Sequence, residues 1–283
     1  MPRIKNLGKR WISVGVVSAA AATVLASVVV GSASADTSAP AVSVAQAKPT
    51  IVLEHGAFAD GSSWSGVIQR LRADGYTVVA PANPLRGPQA DAAVLRSVID
   101  HIPGPKILVG HSYGGSVISE TATNEPQVKA LVYVAAFLPA PGETALGLTN
   151  KFPGSTLPGA LDPVTYKLPD GTSTTDLYIQ SSKFRHQFAA DVPAGQAALM
   201  AAIQRPIAQS ALAEKATTAA WMHKPSWDIV TTEDLNIPAA VQLWMAHRAH
   251  AHITEVAASH SVAVSRPDLV ARVIEQAAQA TRG

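Results

Sequence analysis

Two rhythms of apolar residues alternate along the chain. Contiguous runs at Pro49 to Glu54, Tyr76 to Ala80, Lys106 to Val109, Val128 to Ala135, Ser226 to Thr231 and His252 to Val256 are short and rich in β-branched residues, and predict strands. Between them the apolar positions spread to helical spacing. Trp64, Val67, Ile68 and Leu71 predict a helix from near Ser63 that ends by Gly75, and Val94, Leu95, Val98, Ile99 and Ile102 predict another closed by Pro103-Gly104. Further helices are predicted from Gly114 to about Asn124, from Pro238 to about Ala249, and from Pro267 onward. In the last of these Ser265 reads as the N-cap, with Pro267 in the first turn and Asp268 three residues after the cap. Strands separated by such helices pair in parallel through right-handed crossovers. The pattern predicts an α/β fold class, a mostly parallel sheet flanked by helices.

The rhythm breaks between about residues 138 and 224. Pro, Gly, Thr and Ser crowd this stretch to about Thr175, and helical spacing returns only in Ala197 to Ile203 and Ile207 to Ala216. It is too long for a plain crossover, and an insertion of this kind is expected to cap a site at the sheet edge. At the start of the chain, Arg3, Lys5, Lys9 and Arg10 precede an apolar stretch from Trp11 to Val30 and the small-residue site Ala33-Ser34-Ala35. This is the pattern of a secretory signal peptide, residues 1–35, cleaved after Ala35. A retained membrane anchor competes with it, but Ser13, Ser18, Thr23 and Ser27 dilute the stretch and the cleavage site favours removal. Residues 36–48 read as a flexible lead-in to a single domain over 49–283.

Composition narrows the class. With 283 residues, 47% apolar and 15% charged, the chain suffices for one core and is short for two. Its formal charge of +2 belongs to the leader, which holds four cations and no acid and so leaves 18 Lys and Arg against 20 Asp and Glu, a net −2. Nothing in that balance points to nucleic acid. The sequence has no cysteine, which excludes disulfides, a Cys nucleophile and thiolate metal sites.

The chemistry gathers around Gly110-His111-Ser112-Tyr113-Gly114-Gly115, which follows the strand at Lys106 and opens a helix. In G-x-S-x-G the glycines permit a strained strand-to-helix turn that raises the serine above the sheet edge, toward the positive end of the following helix. A serine hydroxyl needs a base and an orienting acid, which in this arrangement follow in the order acid, then His. Among nine histidines His260 is best placed as base, because its loop joins the last strand to the last helix. For the acid, the loop after Thr231 offers Glu233 and Asp234, of which Asp234 lies nearer the helix start; Asp228 lies inside the strand. Backbone N–H groups of Tyr113 and Ala57 are placed to receive an oxyanion. His247, His250 and His252 straddle a helix end and a strand, a poor metal spacing, and this chemistry needs no metal and no cofactor. Trp221, Trp244, Phe137, Phe152, Tyr178 and Met200 are candidate pocket walls.

His55-Gly56-Ala57-Phe58, the elbow, the strand Leu131 to Pro139, Asp234 eight residues before Gln242, and Ser259-His260 followed by Ser265-Arg266-Pro267 together resemble the α/β-hydrolase group of plant methylesterases and hydroxynitrile lyases, especially its bacterial esterase members. The resemblance spans about residues 50–280 and is weakest in the cap. It implies an α/β-hydrolase fold, a triad of Ser112, Asp234 and His260, and an oxyanion hole from Ala57 and Tyr113. Hydroxynitrile lyases of this group carry threonine where Gly56 stands and lysine where Ser261 stands, so hydrolysis is favoured over C–C cleavage. Glu54 stands where relatives usually have an apolar residue, and a carboxylate there is costly unless paired. The expectation is a secreted serine carboxylesterase acting on a small-molecule ester, with a lyase of the same fold, a lipase or a non-catalytic ligand-binding module as alternatives.

Overall fold

The computed structural model describes residues 48–281. The expected signal peptide, and all of the expected lead-in but Lys48, lie outside the described residues.

Three strands begin the sheet: β1 (Thr50–Glu54), β2 (Val78–Val79) and β3 (Lys106–His111). Between them run α1 (Ser65–Ala73), preceded by a 3-10 turn at Gly61–Trp64, and α2 (Pro88–Asp100). After the elbow come α3 (Gly114–Thr121) and β4 (Val128–Val134). The chain then leaves this sheet for α4 (Ala145–Thr149), β5 (Leu161–Lys167), β6 (Ser173–Ile179), α5 (Ser181–Phe188), α6 (Ala194–Ile203), β7 (Ile207–Ala208) and α7 (Gln209–Ala213). It returns through β8 (Ser226–Thr231), α8 (Ala239–Arg248), β9 (His252–Val256), α9 (Val262–Ser265) and α10 (Pro267–Ala280).

The six strands of the main sheet lie in the order β2-β1-β3-β4-β8-β9 and all pair in parallel. Strand alternation divides their side chains between two buried layers. Ile51, Leu53, Ile107, Val109, Val132 and Ile229 pack with Val67 and Leu71 of α1 and Val270, Ile274 and Ala277 of α10. Val52, Leu108, Leu131 and Tyr133 pack on the other face with Leu95, Val117, Ile118, Val241 and Met245 of α2, α3 and α8. Both faces are thus covered, which is why these strands read as continuous apolar runs. From β1 the chain first steps outward to β2, then crosses back to place β3 on the other side of β1. Loops leaving β1 and β3 therefore diverge at a topological switch point, where open parallel sheets bind ligands.

Three local readings are corrected. The strand expected over Tyr76–Ala80 shrinks to Val78–Val79, because Tyr76 N–H closes α1 on the Leu71 carbonyl and β2 is an edge strand. Ser265 does not cap α10: Ser265 N–H and Arg266 N–H donate to the Ser261 and Val262 carbonyls, which makes Ser265 the last residue of one-turn α9 and puts Arg266 at the cap position. Within 138–224, β5, β6 and β7 form a separate antiparallel sheet, and Ile207-Ala208 pairs with Asp176 and Leu177 instead of starting a helix. The Pro169-Asp170-Gly171 turn between Val/Thr/Tyr-rich flanks was its signal. Nearly every residue of β5 is exposed, so no apolar alternation marked it.

Candidate active site

Register sets the first components. Glu54 at the end of β1 lies beside Gly110 of β3, so the loops 55–59 and 111–113 leave the sheet side by side. Ser112 adopts φ +55, a strained left-handed conformation for a residue with a side chain, typical of functional turns. A Cβ on Gly110 would come within 2.6 Å of the Gly114 carbonyl oxygen, so only glycine lets α3 fold back over β3 this closely. The turn is pinned by Ser112 N–H donating to Val134 O at 3.2 Å and by Gly115 and Phe137 N–H donating to Ser112 O at 3.0 and 3.1 Å.

Long-range folding brings two more loops to this point. His260 Nε2 lies 2.8 Å from Ser112 Oγ and its Nδ1 lies 2.7 Å from Asp234 Oδ2, all three residues being buried. Asp234 Oδ1 accepts from Asn236 and Ile237 N–H at 2.8 and 3.0 Å, and Oδ2 also accepts from Thr231 Oγ1 and Gln242 Nε2 at 3.0 Å. With its lone pairs occupied, the carboxylate is fixed in rotamer and aimed at the imidazole. His111, next to the serine, donates from Nε2 to the His260 carbonyl at 2.9 Å, which ties the elbow to the histidine loop. Burial, with His260 alongside, pulls the His111 imidazole down to about 3, so it stays neutral. Glu233 is exposed, and Asp228 is buried in β8 with neither carboxyl oxygen bonded among the described residues.

Among the peptide N–H groups at the serine, those of Ala57 and Tyr113 donate to no group among the described residues. Peptide planarity orients both from the opposite side. The Gly56 carbonyl accepts from His55 Nδ1 at 2.9 Å while His55 Nε2 accepts from Asn83 N–H at 2.9 Å, so the Ala57 N–H of that same peptide is turned the other way. The Ser112 carbonyl, held by two donors, does the same for Tyr113 N–H. Burial lowers the His55 pKa, which keeps the ring in the neutral state that this donor-and-acceptor arrangement requires.

The serine and histidine open into a cavity of about 60 Å³ lined mainly by apolar groups, among them Phe58, Phe137, Leu146, Leu157, Leu161 and Leu212. On the far side of Phe58 a second hollow of about 260 Å³ lies against α6. Of the expected walls, Phe137 lines the inner cavity and Met200 the outer one. Trp221 and Trp244 instead clamp Arg248, with Trp221 Nε1 donating to Pro139 O, and Phe152 packs on Trp244. Tyr178 is paired opposite Asp162 in β6. His252 stacks on Trp227, and among the described residues no group of three His, Asp or Glu converges as a metal site.

Residues 51–273 match the model of the alpha/beta hydrolase family. The chain belongs to that family. A pyrethroid hydrolase of Sphingobium wenxiniae is 30% identical over 250 residues, covering 81% of this chain and 88% of that protein. The crystal structure of a pyrethroid hydrolase from Sphingobium faniae superposes with a TM-score of 0.65 at 25% identity, covering 82% of this chain and 98% of the other. A polyneuridine aldehyde esterase shares the fold, with a TM-score of 0.70 at 19% identity over 81% of this chain and 99% of its own. These matches agree with the resemblance to the plant esterase group and its bacterial members, and the ester-hydrolysing relatives support a hydrolase.

Within the alpha/beta hydrolase family, the two departures from the lyases now have a physical setting. A Cβ on Gly56 would lie 2.6 Å from Ser112 Cβ and 2.8 Å from the His111 carbonyl, so a threonine cannot enter here without moving the elbow. Ser261 turns away from the cavity and donates to the Phe188 carbonyl at 2.8 Å. Sequence reasoning did not single out Asn83 or His111. Each bonds a residue distant in sequence through a backbone group, which no local spacing reveals.

Proposed function

We propose that this hydrolase is an exported serine carboxylesterase that acts on small esters through an acyl-enzyme on Ser112. The observation that carries the reading is the hydrogen-bonded chain Ser112–His260–Asp234 opening into an apolar cavity beside two uncommitted N–H groups. Ser112 Oγ attacks the ester carbonyl as His260 Nε2 takes its proton, and Asp234 stabilises the resulting imidazolium. Ala57 and Tyr113 N–H receive the oxyanion. Collapse expels the alcohol, protonated by His260. Water, deprotonated by the now neutral imidazole, then attacks the acyl carbonyl and frees the acid. The stretch 138–224 is the cap, supplying Leu146, Leu157, Leu161 and Leu212 to the wall. The basic, apolar and Ala33-Ser34-Ala35 regions of the leader support export, and a secreted chain beginning at Asp36 would test it.

Hydrolysis of a chain-length series of p-nitrophenyl esters by the mature protein, beside Ser112→Ala, tests the mechanism. Loss of at least about 10³-fold in kcat/KM is expected. Equal rates in both proteins overturn the assignment of the nucleophile.

A further inference from the structure

Tyr113 does more than follow the serine in sequence. Its side chain is buried to 1% exposure and its hydroxyl donates to Asp91 Oδ2 at 2.8 Å. Asp91 lies in the first turn of α2, wholly buried, and its carboxyl also accepts from Arg86 N–H at 3.1 Å and Gly87 N–H at 3.4 Å. The acceptor is therefore held on a rigid element by backbone donors before the tyrosine reaches it. Nothing in the proton transfers between Ser112, His260 and Asp234 uses this pair, and both partners have been withdrawn from water. A buried hydroxyl–carboxyl bond of this kind locks a rotamer.

We propose that Asp91 is the positioning residue of the oxyanion hole: by accepting the Tyr113 hydroxyl proton it holds the Tyr113 main chain, and hence its free N–H, at the distance from Ser112 that the tetrahedral oxyanion requires. The proposal rests on the serine esterase reading above. The geometry divides the work. The Ser112 carbonyl, bonded to Gly115 and Phe137 N–H, sets the tilt of the shared peptide plane, while the tyrosine ring, anchored at its far end, stops the plane from sliding along the α3 axis. Position 113 is the first residue after a φ +55 turn, where the backbone has most reason to relax. The anchor opposes that relaxation from α2, which packs against α3. Glu54 occupies the same buried neighbourhood. Burial and the Asp91 charge push its carboxyl well above the usual range; burial raises the Asp91 carboxyl too, and the bonds from Arg86 N–H, the Tyr113 hydroxyl and Gly87 N–H work against that rise.

The test is a kinetic comparison of wild type, Tyr113→Phe, Asp91→Leu, Asp91→Asn and the double variant Asp91→Leu/Tyr113→Phe on p-nitrophenyl acetate, with the inhibition constant of a trifluoromethyl ketone measured in parallel. Tyr113→Phe removes only the hydroxyl, and Asp91→Leu removes its acceptor together with that of the Arg86 and Gly87 N–H groups, so each is expected to lower kcat roughly 10- to 100-fold with KM held within about twofold. The ketone, which forms the tetrahedral oxyanion, should lose affinity by the same factor. Asp91→Asn keeps an acceptor for the hydroxyl and should recover most of kcat. In the double variant the Tyr113 hydroxyl is no longer left unpaired, so thermal stability should rise above that of Asp91→Leu, with the Arg86 and Gly87 N–H groups still lacking their acceptor, while kcat stays at the level of the single variants. Wild-type kcat in Tyr113→Phe, a rise in KM at unchanged kcat, or single effects that multiply in the double variant would each overturn the positioning role. Ser112→Ala, assayed alongside, separates the two ideas: if it hydrolyses normally the serine reading fails, and if it is inactive while Tyr113→Phe is fully active only the positioning role fails.

Discussion

The main sheet and the stretch over it, residues 138–224, meet at Ser112 but contribute in opposite ways. The hydrogen-bonded chain Ser112–His260–Asp234 comes from the carboxyl edge of the sheet, on loops whose backbone is tied by glycine contacts and hydrogen bonds. The covering stretch adds apolar walls, and most of its bonds to these loops go through main-chain carbonyls. Phe58 N–H donates to the Arg205 carbonyl, Ser259 and Ser261 hydroxyls donate to the Phe188 carbonyl, and Thr156 N–H meets the Leu235 carbonyl. Ser259 also donates to Asp191, and Gln187 Nε2 to the Leu235 carbonyl. Chemistry here depends on atom type and position to a fraction of an ångström. Walls depend on volume, which many sequences can supply.

If the division holds, changes on the two sides should fail differently. The largest effect is expected on the sheet side. Asp234→Asn keeps the shape of the carboxylate but takes away its charge and can put a donor opposite His260 Nδ1, so kcat should fall by about 10⁴-fold, and Tm should fall as well because either setting of the amide turns its NH2 toward groups that donate to the carboxylate. Stopped assays against pH would check it, and a drop under tenfold would mean that another group orients the histidine.

On the covering side, Leu212→Trp should leave p-nitrophenyl acetate hydrolysis within about threefold of wild type, yet reduce butyrate relative to acetate by about tenfold, because it takes volume from a cavity of about 60 Å³. Equal losses on both esters would show that α7 controls more than size.

The smallest effect is one of stability and lies behind the site. Burial raises the Asp228 carboxyl well above its usual value, and it faces Tyr133 across the β4–β8 pairing with no bonded partner among the described residues. The folded state therefore keeps a proton that the unfolded chain releases above about pH 4. Stability from this group is full below that pH and declines as pH rises toward the folded value, by about 1.4 kcal/mol per pH unit. His111 works in the opposite sense, its contribution being full above about pH 6.5 and lost as pH falls toward 3. Denaturation of Asp228→Asn against wild type at several pH values cancels the histidine. The variant should gain relative to wild type as pH rises above about 4, by up to about 1.4 kcal/mol per pH unit until the folded carboxyl ionises. A pH-independent difference would mean that Asp228 is ionised in the fold.

The comparison also explains what could be read in advance. β3, β4 and β8 were legible nearly to the residue because central parallel strands covered on both faces are mostly apolar, while the edge strand β9, only partly covered, was legible from its bounds between a helix end and the loop of His260. Ser112, Asp234 and His260 were legible because each ends or follows a predictable element on one sheet edge. The β5–β6 hairpin was not, since an exposed ribbon needs no alternation, and the division of 205–216 between strand and helix was set by pairing with β6.

By itself the sequence determined the α/β alternation and the residues at which strands yield to loops, because hydrophobic period and glycine sterics act over a few neighbours. Only the tertiary structure decided that His55 turns the Gly56 peptide, that Asp91 receives the Tyr113 hydroxyl, that Glu54 and Asp228 lie buried, and that Trp221 grips Arg248 instead of lining the pocket. Those outcomes depend on direction and desolvation at contacts between distant segments, and a linear pattern carries neither.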